Sequence, residues 1–228
     1  MGCRVHICGR GAIAVTKAVQ ELKDQGLNVT GSRADITIKE DRESLLDFLS
    51  NNYDGKLDIL VNNVGTNIRK KTVEYTADEY SRLMSTNVES SYLLTQLCHP
   101  LLKESTNASI IFNSSVAGLT SLSTGSIYGL SKGALNQLTK NLACEFAKDG
   151  IRVNAVAPWY INTPLAQQVL SDDNYKGQVV ARTPLGRVGE PEEVGSVVAF
   201  LCLGAASYVT GAIVPIDGGF SCNGFLAI

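Results

Sequence analysis

At 228 residues, with 44% hydrophobic and 18% charged side chains, the chain is long enough for one domain with a sizeable core and short for two. A net charge of -2 without a basic cluster excludes a nucleic-acid or anionic-membrane surface and leaves small polar or moderately anionic ligands open. Six scattered cysteines without a Cys-x-x-Cys pair, and only two histidines, point to core thiols of a reducing compartment, the cytoplasm, and away from a metal site.

No apolar run approaches the ~20 residues of a membrane span, and no signal peptide precedes the first strand. The Met-Gly-Cys start carries His6 where a myristoylation signal wants Ser or Thr. Arg4 to Cys8 reads as a strand, Ala12 to Gln25 as a helix closed by Gly26, and Leu27 to Gly31 as a second strand leading to Asp35. Between the first two, Gly9-Arg10-Gly11-Ala12-Ile13-Ala14 matches G-x-G-x-x-A, the form of a dinucleotide turn that follows a strand and opens a helix.

Glu40 to Asn52 is the next helix, and Leu57 to Val61 an apolar strand ending at Asn62-Asn63-Val64-Gly65. Thr76 and Glu79 form a capping box for a helix expected to continue through Tyr92 to Leu102, with Asn87 inside it. Ile110 to Phe112 suits a strand buried on both faces, with Ser114 and Ser115 at its C-terminal end, where open α/β sheets place their ligands.

From Ile127 the apolar residues recur in steps of three and four to Phe146, one face of a helix that Gly150 stops. Tyr128 and Lys132 are four apart on that helix, one turn from each other. An ammonium beside a phenol favours the ionised form, so Lys132 is expected to lower the Tyr128 pKa and make it a proton donor or acceptor. Alone, the pair reads first as an ordinary amphipathic helix residue and a solvated charge, because the spacing by itself is a weak signal. The overlapping Gly129-Leu130-Ser131-Lys132-Gly133 matches the hydrolase G-x-S-x-G, but it lies within the helix and no histidine follows it.

Arg152 to Ala157 is a strand ending at Pro158, Pro191 the start of a last helix, and Ala212 to Ile216 the closing strand. There is no internal repeat or linker, so residues 1–228 read as a single domain of successive βα units.

The segments LDILVNNVG, STNVESSYLLTQ, SSVAG, YGLSKGALNQLTKNLACEFAKDGIRVNAVAP, TPLGRVGEPEEV and YVTGAIVPIDGGF, in that order, resemble the short-chain dehydrogenase/reductase family, and among its members the tropinone-reductase-like proteins. The resemblance implies a Rossmann-like, doubly wound, mostly parallel sheet and a constellation of Ser115, Tyr128, Lys132 and Asn87. Asn87 would distort its helix, Ser115 would hold the substrate oxygen, and Lys132 would bind the cofactor ribose. It further implies NADP-dependent interconversion of alcohol and carbonyl on a small apolar ring ketone. Arg10 would meet the 2′-phosphate, Asp35 the adenine edge, Asn63 and Gly65 the ribose side, and Ile161 and Thr163 the carboxamide, with Leu165 to Tyr175 as the variable substrate lid, Leu165, Val169 and Leu170 toward the pocket. Helix pairing across two-fold axes would give a homodimer or homotetramer, with Leu94, Leu97, Leu138 and Leu142 on faces a monomer leaves partly bare.

The chain departs from the family pattern at three places. RVHICGR aligns with the family's second strand, so the first strand, the T-G-x-x-x-G-I-G turn and the first helix are missing. Val64 stands where Ala is usual, and Trp159-Tyr160 follow Pro158 where Gly is usual, so both are expected to narrow the cofactor site. These departures imply weak NADP binding and weak or absent turnover, and keep a non-catalytic family member open as the alternative.

Overall fold

Strand-length apolar runs alternating with helical periodicity predict parallel pairing, and every strand pair of the computed structural model is parallel. Residues 2–224 are described. β1 (Val5–Gly9), α1 (Ala12–Asp24) and β2 (Val29–Arg33) form a two-stranded sheet with its crossover helix. After α2 (Lys39–Asn52), the strands β3 (Ile59–Asn62), β4 (Ala108–Asn113), β5 (Ile151–Pro158) and β6 (Ile213–Ile216) lie side by side in that order. Their connections carry α3 (Ala77–Met84), α4 (Ser90–Lys103), α5 (Ser126–Glu145), α6 (Pro164–Leu170), α7 (Asp173–Ala181) and α8 (Pro191–Cys202).

β1 and β3 belong to different sheets and exchange no ladder hydrogen bonds. A family strand missing between RVHIC and LDILVNN would either leave two sheet edges unpaired or bring β1 against β3, and the structure has the first: two sheets, each with an edge strand at the division.

The four-stranded sheet holds the core. Alternation along β4 sends Ile110 and Phe112 to one face, against Leu94, Cys98, Leu102, Leu135 and Leu142, while Ile111 joins Val156 and Leu201 on the other. Full burial of side chains of this size is worth about 1.5–3 kcal/mol each before chain entropy is counted. Leu94 and Leu142, expected on a bare outer face, are 6% and 7% exposed and belong to this core; Leu97 and Leu138 are half-buried. The helical period identified the apolar stripe, but the sheet claimed half of it.

The helix expected over Thr76 to Leu102 is interrupted. The capping box forms, with Glu79 N donating to Thr76 Oγ1 at 3.2 Å and Thr76 N to Glu79 Oε2 at 3.0 Å. A π-helical turn at Ser85–Glu89 then separates α3 from α4 and carries the fully buried Asn87. The lid expected over Leu165 to Tyr175 is α6 plus the start of α7. Of its three expected pocket residues, only Leu165 lines the cleft; Leu170 packs with Ala166 and Val179 in the lid's own small core, and Val169 does neither.

Candidate active site

The end of β4 is locked to α5 by one asparagine. Asn136 Oδ1 accepts from Ser114 Oγ at 2.6 Å, and its Nδ2 donates to Gly118 O at 2.9 Å. Ser114 Oγ also lies 3.1 Å from Lys132 O. Gly118 permits this approach: a Cβ there would stand 2.6 Å from the Lys132 carbonyl carbon and 2.8 Å from Gly133 N. The loop bearing Ser115 thus rests directly on the backbone of the helix bearing Tyr128 and Lys132.

Ser115 adopts extended backbone and begins a short turn, its Oγ accepting from Ala117 N at 3.2 Å. Its hydroxyl donates to Pro158 O at 3.4 Å, and Ser115 and Tyr128 line the same cavity. Lys132, 3% exposed, donates from Nζ to Asn113 O at 2.7 Å and lies 5.5 Å from the Tyr128 ring centroid. Asn87 donates from Nδ2 to Thr66 O and to Ser131 Oγ, each at 3.0 Å, and accepts at Oδ1 from Thr66 N at 2.8 Å. Gly65 lies between Asn87 and Lys132, where a Cβ would meet Nζ at 3.4 Å and Asn87 Oδ1 at 3.7 Å.

The electrostatics differ from the expectation for Tyr128. Burial pushes its pKa up; the Ser115 hydroxyl and the Arg69 charge pull the other way, and Lys132 is not the group that opposes burial. The ammonium sits over the ring face and is engaged by a backbone carbonyl rather than lying at the phenol oxygen. Burial also pushes Lys132 itself down, to about 8.

A cavity of about 980 Å³ runs past these groups and is also lined by Asn63, Gly65, Ile161, Thr163, Trp159 and Tyr160. Asn63 Oδ1 accepts from Asn113 Nδ2 at 2.6 Å, and Thr163 caps α6 while donating to Ile161 O at 3.3 Å. Arg10 and Asp35 lie outside this lining. Arg10 is exposed at the end of β1, and Asp35 accepts from Thr37 N and Oγ1 at 3.0 and 2.7 Å. Trp159 stacks on Phe220 with centroids 3.8 Å apart and donates to Thr183 Oγ1 at 3.1 Å, so it is pinned as a wall of the cleft. Val64 is not part of the lining. Ser131, the nucleophile of the hydrolase alternative, is fully buried and donates to Tyr128 O at 2.8 Å, which leaves it no substrate.

Sequence reasoning passed over Arg69, Asn67, Asn113 and Tyr175, which also line the cavity. Arg69 carried a usable signal: it stands four residues after Gly65, on the loop leaving a strand's C-terminal end.

A parallel α/β fold with a hydroxyl, a phenol and an ammonium gathered at its strand ends defines an oxidoreductase class, and the comparisons agree. The family model described as enoyl-(acyl carrier protein) reductase matches residues 1–221, and the chain belongs to the short-chain dehydrogenase/reductase family. Within it, an Arabidopsis thaliana tropinone reductase homolog is 56% identical over 224 residues, covering 98% of this chain and 85% of that protein. Among solved structures, a Pseudomonas aeruginosa RhlG/NADP active-site complex shares 33% identity at TM-score 0.90, covering 96% of this chain and 87% of that one. A Burkholderia cenocepacia gluconate 5-dehydrogenase in complex with NADP and tartrate shares 26% identity at TM-score 0.92, covering 97% and 87%.

Proposed function

We propose that the protein is an NADP(H)-dependent carbonyl reductase and alcohol dehydrogenase acting on a small ring ketone, with Ser115, Tyr128, Lys132 and Asn87 as its catalytic groups. The observation that carries this reading is the convergence of the Ser115 hydroxyl, the Tyr128 phenol and the Lys132 ammonium on one cavity at the end of β4. Residues at the catalytic end fit a nicotinamide nucleotide. Asn113 Oδ1 is a buried acceptor without a partner among the described residues, and Gly65 leaves open the space beside Lys132 Nζ that a side chain would fill.

The dinucleotide, when bound, supplies the hydride for the carbonyl carbon or takes it from the alcohol. Ser115 Oγ holds the substrate oxygen, and Tyr128 gives that oxygen its proton. A phenol raised by burial stays protonated at neutral pH, so the resting site is set for reduction. Lys132 and Asn63 hold the nicotinamide ribose, and Ile161 and Thr163 meet the carboxamide. Lys132 and Asn87 restore the proton to Tyr128 through solvent, and Gly65 keeps the space between them free. Trp159, Tyr160 and Leu165 give the substrate an apolar wall. Arg10, exposed at the end of β1, would meet the 2′-phosphate, with Asp35 at the adenine edge.

The test is loss of NADPH absorbance with a panel of ring ketones. No turnover of any ketone, by protein shown to bind NADPH, would overturn the reading.

A non-catalytic family member that binds cofactor weakly is the second reading. It is favoured by Arg10 and Asp35 standing on the two-stranded sheet and outside the catalytic cavity. Calorimetric titration with NADPH decides between them, micromolar affinity supporting the enzyme.

We also propose a homodimer or homotetramer in the cytoplasm. Exposed Tyr80, Tyr92 and Leu130 on α3, α4 and α5, and the free thiols of Cys8, Cys98, Cys144, Cys202 and Cys222, support these assignments. No helix among the described residues is long and apolar enough to cross a membrane. Sedimentation as a stable monomer at micromolar concentration would remove the oligomer.

A further inference from the structure

We propose that the substrate carries a carboxylate, and that Arg69 is the residue that selects it. The inference rests on the reductase reading of the cleft and names the substrate class within it.

Three cationic side chains line the cavity, Arg69, Lys132 and Arg182, and none of the described residues lining it is an aspartate or glutamate. Lys132 is engaged beneath Tyr128, and Arg182 is exposed on the lid. Arg69 is half-buried and takes part in none of the ion pairs among the described residues. Its neighbour makes the contrast plain: Lys70 turns to Glu79 on α3 and is neutralised. One cation of the adjacent pair is matched within the protein, and the other is left to the cavity.

The loop that carries Arg69 is held on both sides. Thr66 N is fixed by Asn87 Oδ1 at 2.8 Å, the Tyr75 hydroxyl donates to Ile68 O, and Gly125 N donates to Lys70 O at 3.1 Å. A guanidinium so placed is pre-organised, and its planar fork suits a two-point contact with a carboxylate. Its position along the cleft is set by its neighbours. Arg69 lines the cavity together with Tyr160 and Tyr128, and its charge is felt at both phenols. An anion on Arg69 therefore lies only a few bonds from the carbonyl that Tyr128 protonates. Asn67, also in the lining, presents a buried Oδ1 with no partner among the described residues, one further polar contact for such a ligand. Leu122, Leu165 and Val179 surround the space between with apolar surface, so the ligand is an oxo acid with an apolar ring body.

The electrostatic reason is simple. An uncompensated cation behind low-dielectric walls sets up a field that attracts anions and raises the cost of binding a second cation. Charge-assisted hydrogen bonds of this kind contribute about 1.5–3 kcal/mol, ~10–150-fold in affinity.

The experiment uses the whole chain and a matched pair of probes, a cyclohexanone bearing a carboxylate and its methyl ester. Trp159 is the single tryptophan and lines the same cavity, so its fluorescence reports binding of either probe without cofactor. The acid is expected to bind about tenfold or more tightly than the ester, and kcat/KM with NADPH should show the same preference, carried by KM. Arg69→Met should bring the acid-to-ester ratio down to about 1 and Arg69→Lys should restore part of it, with folding of both variants checked by circular dichroism. Equal binding of acid and ester, or an unchanged ratio in Arg69→Met, overturns the proposal. Selective binding of the acid without turnover of either probe supports the Arg69 site and counts against the reductase reading instead.

Discussion

The two sheets were built from similar-looking sequence and ended in different states. β5 is buried at all eight positions, whereas β1 has no buried residue and neither does α1, whose Ile13 is 87% exposed. Both read as short strands in the sequence. β5 has a strand on each side and helices over both faces; β1 has one partner, β2, and an exposed edge. Burial of a strand is thus a property of its neighbours, and the proposed catalytic groups are carried by the region that has them.

The sharpest way to break this comparison is through the chemistry it assigns to the larger sheet. Tyr128→Phe should lower kcat for ketone reduction about a thousandfold while leaving NADPH affinity within about twofold, as single-turnover kinetics and calorimetry would show. Wild-type turnover in that variant would move the proton donor elsewhere.

Stability should differ nearly as much between the two sheets. Ile110→Ala removes a fully buried side chain of β4 and should cost about 3 kcal/mol in denaturant unfolding, against under about 0.5 kcal/mol for Val5→Ala, at a position 42% exposed on β1. Equal costs would mean that both strands are buried alike in solution.

A third measurement uses Lys132, whose burial lowers its pKa from 10.5 to about 8. The folded protein binds fewer protons than the unfolded chain between those values, so stability should rise with pH across that window, and the whole cost is present below it. Lys132→Met should therefore be inactive yet up to about 3 kcal/mol more stable at neutral pH, the excess shrinking as pH approaches 10.5. A variant less stable than wild type at pH 7 would show that the hydrogen bond to Asn113 outweighs desolvation.

The smallest expected effect belongs to the smaller sheet. Arg10→Ala should leave kcat unchanged and reduce the preference for NADPH over NADH by about fivefold, one exposed phosphate contact being worth ~1 kcal/mol. An unchanged preference would place the 2′-phosphate away from β1.

How much of this was legible beforehand follows from the range of each interaction. Local spacing was enough for the order of strands and helices, the Thr76/Glu79 cap, and the placing of Ser115 at a strand end with Tyr128 and Lys132 one helical turn apart. Periodicity and capping act within a few residues and survive without tertiary information. Tertiary structure alone decided that Leu94 and Leu142 face the core, that β1 and β3 stay apart as unpaired edges where the missing family strand allowed them also to meet, and that Asn136 ties Ser114 to Gly118. It also decided that Tyr128 is raised by burial, not lowered by Lys132, and that Arg69 is left unmatched beside a neutralised Lys70. Burial, lateral strand pairing and charge compensation each depend on groups distant in the chain, and no window of sequence contains them.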